Sequence, residues 1–491
     1  MGYKNDLQRE LLLNIPIAEN LFANISSLET PFSTKEALSD TAQNEAYHVL
    51  PSIKALQQYN SVFNMPFLLH PSRTPWDEAN SYLISLVKNK HEMQRPTEDV
   101  RRKAAVILDY RLFCDAEGID WLDFSGRRPS ARPTYRYYQY LRDVKALRPR
   151  VINQYTGYIY YFYEFIAEHW SEHRIDMTRV DTAETVRVFF KHSNRVSSKD
   201  VLARSQTQKT PPKALTPLGY VQDDGELLRP LSLEQWSEVL SIINSNNWSP
   251  LERLIVLFSA MTGARKQTVL TIRVKHIRFL EKSKPSTDGT YRLRVGAGTI
   301  VDTKNNKAQI IYLPPQLVNE LVVYCHCENS MSRREKFKIK YKEKYPNLKG
   351  LIDDDIYIFL SEQGNCYFMG KDDPRYPIVK SKPTGQMVDN IKRKIIRSAS
   401  ESFPSEFYYH WLRATFAYLL WIALKKYITS GELDYATVIG VIQNRLSHSQ
   451  RETTENYLKL FRNVNIRHES QGLFEDYIFE AIDASEFNKD N

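Results

Sequence analysis

Helical periodicity lapses for about forty residues near the middle of the chain, and this lapse limits the folds open to it. The segment KHSNRVSSKDVLARSQTQKTPPKALTPLGYVQDDGELLRP, 191 to 230, is rich in Ser, Thr, Gln and Pro and basic in its first half. That is the composition of a connector between two packed bodies. A chain of 491 residues is too long for one ordinary core, so two or three domains are expected.

On the N-terminal side, apolar residues recur at three-and-four spacing near 76–92, 97–117, 131–146, 151–170 and 182–192, which predicts a helical domain over 76–195. Residues 1–75 mix short apolar runs with Pro51, Pro66, Pro71 and Pro75 and read as an accessory arm. After a linker at 196–230, Ser232 with Gln235 three residues on is a helix cap that opens a domain over 231–468. Helices are expected there near 232–246 and 249–261, followed by strand alternation at 290–300 and 308–313 around a polar turn at 302–307. A charged stretch at 329–350, a strand candidate at 356–360 and helices at 384–400, 408–427, 434–446 and 450–460 complete it, and 469–491 add a terminal helix. The fold class is therefore mainly α with a small β-sheet. No period of twenty to fifty residues repeats, which argues against a solenoid.

Composition narrows the functions. With 42% apolar residues there is ample material for buried cores. No run approaches a membrane span and the start lacks an apolar signal core, so a soluble, cytoplasmic protein is expected. The cysteines Cys114, Cys325, Cys327 and Cys366 form no disulfide framework, and Cys325-His326-Cys327 lacks the spacing of a zinc site. A net charge of +9 makes a polyanion a plausible partner.

Four separated segments carry chemistry. LSHSQRETTENYLKLF, 446–461, places His448 nine residues before Tyr457 across a helix start. YYHWLRATFAYLLWIA, 408–423, sets His410 and Arg413 three apart at the edge of an apolar run. MTGARKQTVLTIRV, 261–274, puts Arg265 after a Thr-Gly break, and VDTKNNKAQIIYLP, 301–314, puts Lys304 at a hairpin tip, with Lys307 a second candidate. These residue types suit attack on a phosphodiester. Two arginines can hold the non-bridging oxygens bidentately and histidines can complete the cradle. A tyrosine forms an ester that a DNA hydroxyl can displace, but a phenol of pKa about 10 needs a base to take its proton. A lysine can protonate the leaving oxygen.

In order and spacing, Arg265, Lys304, His410-x-x-Arg413, His448 and Tyr457 resemble the tyrosine recombinase (phage integrase) family over roughly 228 to 465. RRKAAVILDYRLFCDAEGI and VINQYTGYIYYFYEFI resemble its helical core-binding domain. The resemblance implies a core-binding domain plus an α+β catalytic domain closing as a C-shaped clamp on double-stranded DNA. It also implies a 3′-phosphotyrosine intermediate, integration or excision of a mobile element, and no metal or nucleotide cofactor. The implied assembly is a homo-tetramer on DNA formed from monomers, with accessory proteins possible, at the nucleoid. By the same resemblance Arg265 and Arg413 clamp the phosphate, Lys304 is the general acid, His410 the general base, His448 a phosphate donor and Tyr457 the nucleophile. The family often has a carboxylate three residues after its first arginine, where this chain has Thr268, so Gln267 or another group must steady Arg265. It often has a glycine before the later histidine, where this chain has Ser447.

The stretch 127–150 carries Arg127, Arg128, Arg132, Arg136, Arg142, Lys145, Arg148 and Arg150 with four interleaved tyrosines, as expected of a phosphate-binding face. RREKFKIKYKEKY at 333–345 is either a DNA-facing insertion or an exposed strand edge guarded by charge. In the tail, Leu473, Phe474, Tyr477, Ile478 and Ile482 form an apolar stripe, which the resemblance implies docks on a neighbouring protomer. The alternative functions are DNA relaxation of the type IB topoisomerase kind and DNA binding without catalysis.

Overall fold

A computed structural model describes residues 10–12, 14–22, 61–70, 72–88, 97–192, 195–209, 216–217, 219–223, 225–346, 348–448 and 451–457. The chain forms two units, one of residues 1–213 with 377–380, the other of 214–376 with 381–491. This division falls inside the segment expected to be a linker.

The first unit is helical around an aromatic core. An antiparallel pair, β1 (Ile17–Phe22) and β2 (Ser61–Pro66), precedes helices α1 (Asp77–Lys88), α2 (Glu98–Ala116), α3 (Pro133–Gln139), α4 (Pro149–His169) and α5 (Met177–Val180). Prolines open α3 and α4, where the first turn needs no amide donor. Trp76, Tyr110, Tyr137, Phe162 and Tyr163 are fully buried. Trp76 meets Trp121 and Phe162 edge-on at 5.2 and 5.5 Å. The buried hydroxyls of Tyr110 and Tyr163 share a 2.7 Å hydrogen bond, so neither is stranded.

The helix expected at 182–192 is instead β3 (Ala183–His192), paired antiparallel with β4 (Arg195–Arg204) from Ala183↔Arg204 to His192↔Arg195. Its apolar residues Val186, Val188 and Phe190 recur with period two, and β-branched and aromatic side chains favour a strand there. Arg187 and Asp200 lie opposite each other and pair at 2.9 Å.

The second unit runs β5 (Val221–Asp223), β6 (Glu226–Leu228), α6 (Leu233–Ile243), α7 (Pro250–Thr262), α8 (Lys266–Leu270), α9 (Val274–Lys282), β7 (Tyr291–Val295) and β8 (Gln309–Leu313). It continues through α10 (Pro315–His326), α11 (Glu328–Lys344), α12 (Met387–Ser398), α13 (Trp411–Thr429) and α14 (Tyr435–Leu446), with 451–457 helical. Ser232 with Gln235 and Ser249 with Glu252 close capping boxes on α6 and α7. Helix α13 packs Trp411, Leu412, Ala414, Ala417 and Trp421 into the core against α7. Both units are mainly α with two-stranded antiparallel sheets. No described helix is long and apolar enough to cross a membrane.

Two further expectations are corrected. The run 333–345 is not a strand edge: residues 333–344 lie in α11 with Tyr345 at its C-cap, and Phe337 and Tyr341, four apart, are both buried. Residues 356–360 pair only through isolated bridges, Tyr357 to Arg273 and Leu360 to Cys366, although all five are buried. The tail stripe at 473–482, residues 458–460 and most of the N-terminal arm lie outside the described residues.

Candidate active site

The site assembles where α7 and α14 end and α13 begins. Helix α7 stops at Gly263, whose φ of +69° is left-handed; a Cβ there would come within 2.7 Å of Phe416. That turn releases Arg265 into extended backbone at the cap of α8. Helix α14 stops at Ser447, also left-handed at φ +53°, which presents His448 immediately afterwards. His410 caps α13, and Arg413 sits in its first turn.

Arg413 is 3% exposed and joins three elements. Its Nη1 donates to the carbonyl of Gly263 at 2.7 Å, its Nη2 to that of Leu446 at 2.7 Å and its Nε to Asp223 Oδ2 at 3.0 Å. Two helix ends thus deliver orphan carbonyls to one guanidinium.

Asp223, at the end of β5, was not foreseen. Its carboxylate is 4% exposed and also meets Arg265 Nη2 at 3.5 Å and His448 Nε2 at 3.6 Å, and it accepts from the Tyr457 hydroxyl at 3.1 Å. Burial by itself would raise its pKa, but His448, Arg413 and Arg265 outweigh that and hold the carboxyl far below the usual range. Thr268, three residues after Arg265, is buried in α8. The sequence signal was Asp224-Gly225 between two short alternating runs, the pairing of a two-residue hairpin turn. The polar, Pro-rich context of 191–230 hid it.

Tyr457 is fully buried, its ring stacked on that of His448 with centroids 5.4 Å apart. Burial, reinforced by the charge on Asp223, pushes the phenol well above its ordinary value, while Arg413 and Arg265 pull the other way. His448 Nδ1 shares a 2.9 Å hydrogen bond with the buried Thr454 hydroxyl, and burial lowers its pKa. The nine-residue spacing from His448 to Tyr457 thus becomes ring contact, with Thr454 fixing the imidazole.

His410, Lys304 and Arg265 line a cleft of about 360 Å³, together with Glu226, Gln267 and Tyr408. His410 Nδ1 lies 2.5 Å from Glu226 Oε2, while its buried Nε2 has no hydrogen-bond partner among the described residues. That contact favours the proton on Nδ1 and leaves the lone pair on Nε2. Lys304 opens the turn between β7 and β8, and Lys307 Nζ donates to the Ser447 carbonyl at 2.6 Å. The two lysines are thereby distinguished: Lys304 faces the cleft and Lys307 braces the backbone that carries His448.

The basic stretch divides as well. Arg127, Arg128, Arg142, Arg148 and Arg150 are exposed. Lys145 instead pairs with Asp109 at 3.1 Å, Arg136 with Glu117 at 3.2 Å, and Arg132 donates to the carbonyl of Gly126 at 3.0 Å. Of the interleaved tyrosines, Tyr137 and Tyr140 face inward to the core, which removes them from any outer face.

No family model matches the chain, and no curated protein matches it. Among solved structures it is similar to XerA recombinase at 14% identity, covering 79% of this chain and 98% of that one with a TM-score of 0.27. It is similar to the Tn1549 transposon integrase in complex with circular intermediate DNA at 14% identity, covering 77% and 93% with a TM-score of 0.36. A third is the XerH site-specific recombinase bound to difH, at 14% identity, covering 79% and 88% with a TM-score of 0.35.

Proposed function

We propose that the protein is a tyrosine-type site-specific DNA recombinase that cleaves and rejoins double-stranded DNA through a phosphotyrosine at Tyr457. The observation that carries this reading is the convergence of Arg265, Arg413, His448 and the Tyr457 hydroxyl on a single anion, the carboxylate of Asp223. A phosphodiester in that place receives the same donors, with the tyrosine oxygen directed at it.

In this reading Arg265 and Arg413 neutralise the charge that gathers on the non-bridging oxygens, and His448 adds a donor. His410, whose Nδ1 contact leaves Nε2 as an acceptor, takes the phenol proton, and Lys304 in the same cleft protonates the leaving 5′-oxygen. Tyr457 becomes esterified to the 3′-phosphate, and a 5′-hydroxyl reverses the step. The first unit adds phosphate contacts through its exposed arginines, and strand exchange proceeds in a tetramer assembled from monomers on DNA. Integration or excision of a mobile element is the corresponding role.

The test is a covalent one. Nicked suicide duplexes tiled from DNA flanking the coding sequence should give a denaturant-resistant protein–DNA adduct with the wild type and none with Tyr457→Phe. An adduct that survives in the phenylalanine variant would refute Tyr457 as nucleophile. Supercoil relaxation by a monomer, with no strand exchange, selects the topoisomerase reading instead.

A further inference from the structure

The hairpin Val221–Leu228 brings carboxylates to both halves of the site. Asp223 reaches Arg265, Arg413, His448 and Tyr457, and Glu226 reaches His410. We propose that this hairpin is a built-in occupant of the anion seat, with Asp223 in the place of the substrate phosphate, and that it must withdraw for a phosphodiester to enter. The phosphodiester itself rests on the function proposed above; occupation of the seat does not.

Three other roles for Asp223 fit less well. It is a poor general base for Tyr457, because its carboxyl is held far below the ordinary range while the phenol lies well above 10. A permanent strut behind the arginines would stand away from the nucleophile, yet the nucleophile's own hydroxyl donates to Asp223 at 3.1 Å. Sharing the seat is disfavoured too, since a phosphodiester and a carboxylate are both monoanions that would compete for the same two guanidinium groups.

The hairpin's construction supports release. Asp223 and Glu226 are directly paired across its strands, a like-charged pair that works against the hairpin and is compensated by the cations of the site. Each strand has three residues; outside the site the hairpin is held at its base, where Val221 and Leu228 are buried, and by Tyr408, which donates to the Leu227 carbonyl at 2.9 Å, while at the tip Asp223 is held by the site's own cations. Glu226, at the far end, is 56% exposed.

The test uses the full chain and inorganic phosphate as the probe. Asp223→Asn should bind phosphate at least tenfold more tightly than the wild type, and phosphate should speed amide exchange across 221–228 in the wild type. Glu226→Gln, which leaves the buried cluster intact, should raise phosphate affinity by a smaller factor and covers the case in which Asp223→Asn does not fold. Unchanged or weaker phosphate binding in a folded variant, or exchange that phosphate leaves unaltered, overturns the proposal. Because this readout needs no cleavage, it separates the two ideas. Phosphate competition without any adduct retains the occupant and sinks the recombinase, whereas an adduct that Asp223→Asn diminishes, with weaker phosphate binding, does the reverse.

Discussion

Arg413 shows how one side chain serves fold and site together. Its three donor contacts join the end of α7, the end of α14 and the β5 hairpin, so a lysine, with one compact ammonium, cannot replace it. That Arg413 and His410 share the start of α13 was legible because the two lie three apart before an apolar run. Asp223 was not, because its partners come from positions 265, 413, 448 and 457, and only folding brings them to it. His276 makes a second residue-scale point. Its Nδ1 accepts from the Arg273 amide at 2.9 Å and caps α9, while burial, with the charges of Lys275 and Arg273, lowers its pKa to about 4. From 6.5, the unperturbed value, down to about 4 the unfolded chain binds this proton and the folded chain does not, so stability falls as pH drops through that window. The loss is about 3 kcal/mol at 1.36 kcal/mol per unit. Urea unfolding between pH 7 and pH 4 should show a shallower decline in His276→Gln than in the wild type, and identical slopes would disprove the assignment.

At the scale of elements, regular periodicity was readable and short or mixed pieces were not. Helices α1, α2, α4, α6, α7, α13 and α14 fall where three-and-four spacing put them. The β3 strand was misread because its apolar residues satisfy both periods over a short window, and pairing with β4 decides between them. The lysine-rich α11 hid its helix because, of the residues on its buried face, Phe337 and Tyr341 are apolar but Ser330, Arg333 and Arg334 are polar. The turn between β7 and β8 carries a sharper dependence. Gly296 has φ +89°, and a Cβ there would overlap the Lys307 carbonyl and crowd the Thr303 hydroxyl. Gly296→Ala should therefore cost about 2 kcal/mol or more and displace the turn that bears Lys304 and Lys307. Thermal unfolding measures the first effect and adduct yield the second; a variant with wild-type stability and yield would show that the turn tolerates the side chain.

For the whole molecule, two separate cores explain why the lapse of periodicity was informative, although the lapse itself contains β4 and the β5–β6 hairpin. Binding to duplex DNA should depend on the charges that are free to meet it. Replacing Arg127, Arg128, Arg148 and Arg150 with glutamine should flatten the dependence of log K on log salt by up to about 3.6, at roughly 0.9 per phosphate contact. Replacing Arg136 and Lys145, which pair with Glu117 and Asp109, should lower stability instead. Equal salt slopes for the fourfold variant and the wild type would exclude this face from the contact. The seat filled by Asp223 has one more consequence, in proton stoichiometry. A carboxylate set free in water stays ionised at neutral pH, and the phosphodiester that replaces it carries the same single charge. The exchange of these two anions therefore neither takes up nor releases a proton, so any dependence of its heat on the ionisation enthalpy of the buffer reports the histidines that the hairpin leaves, His410 and His448.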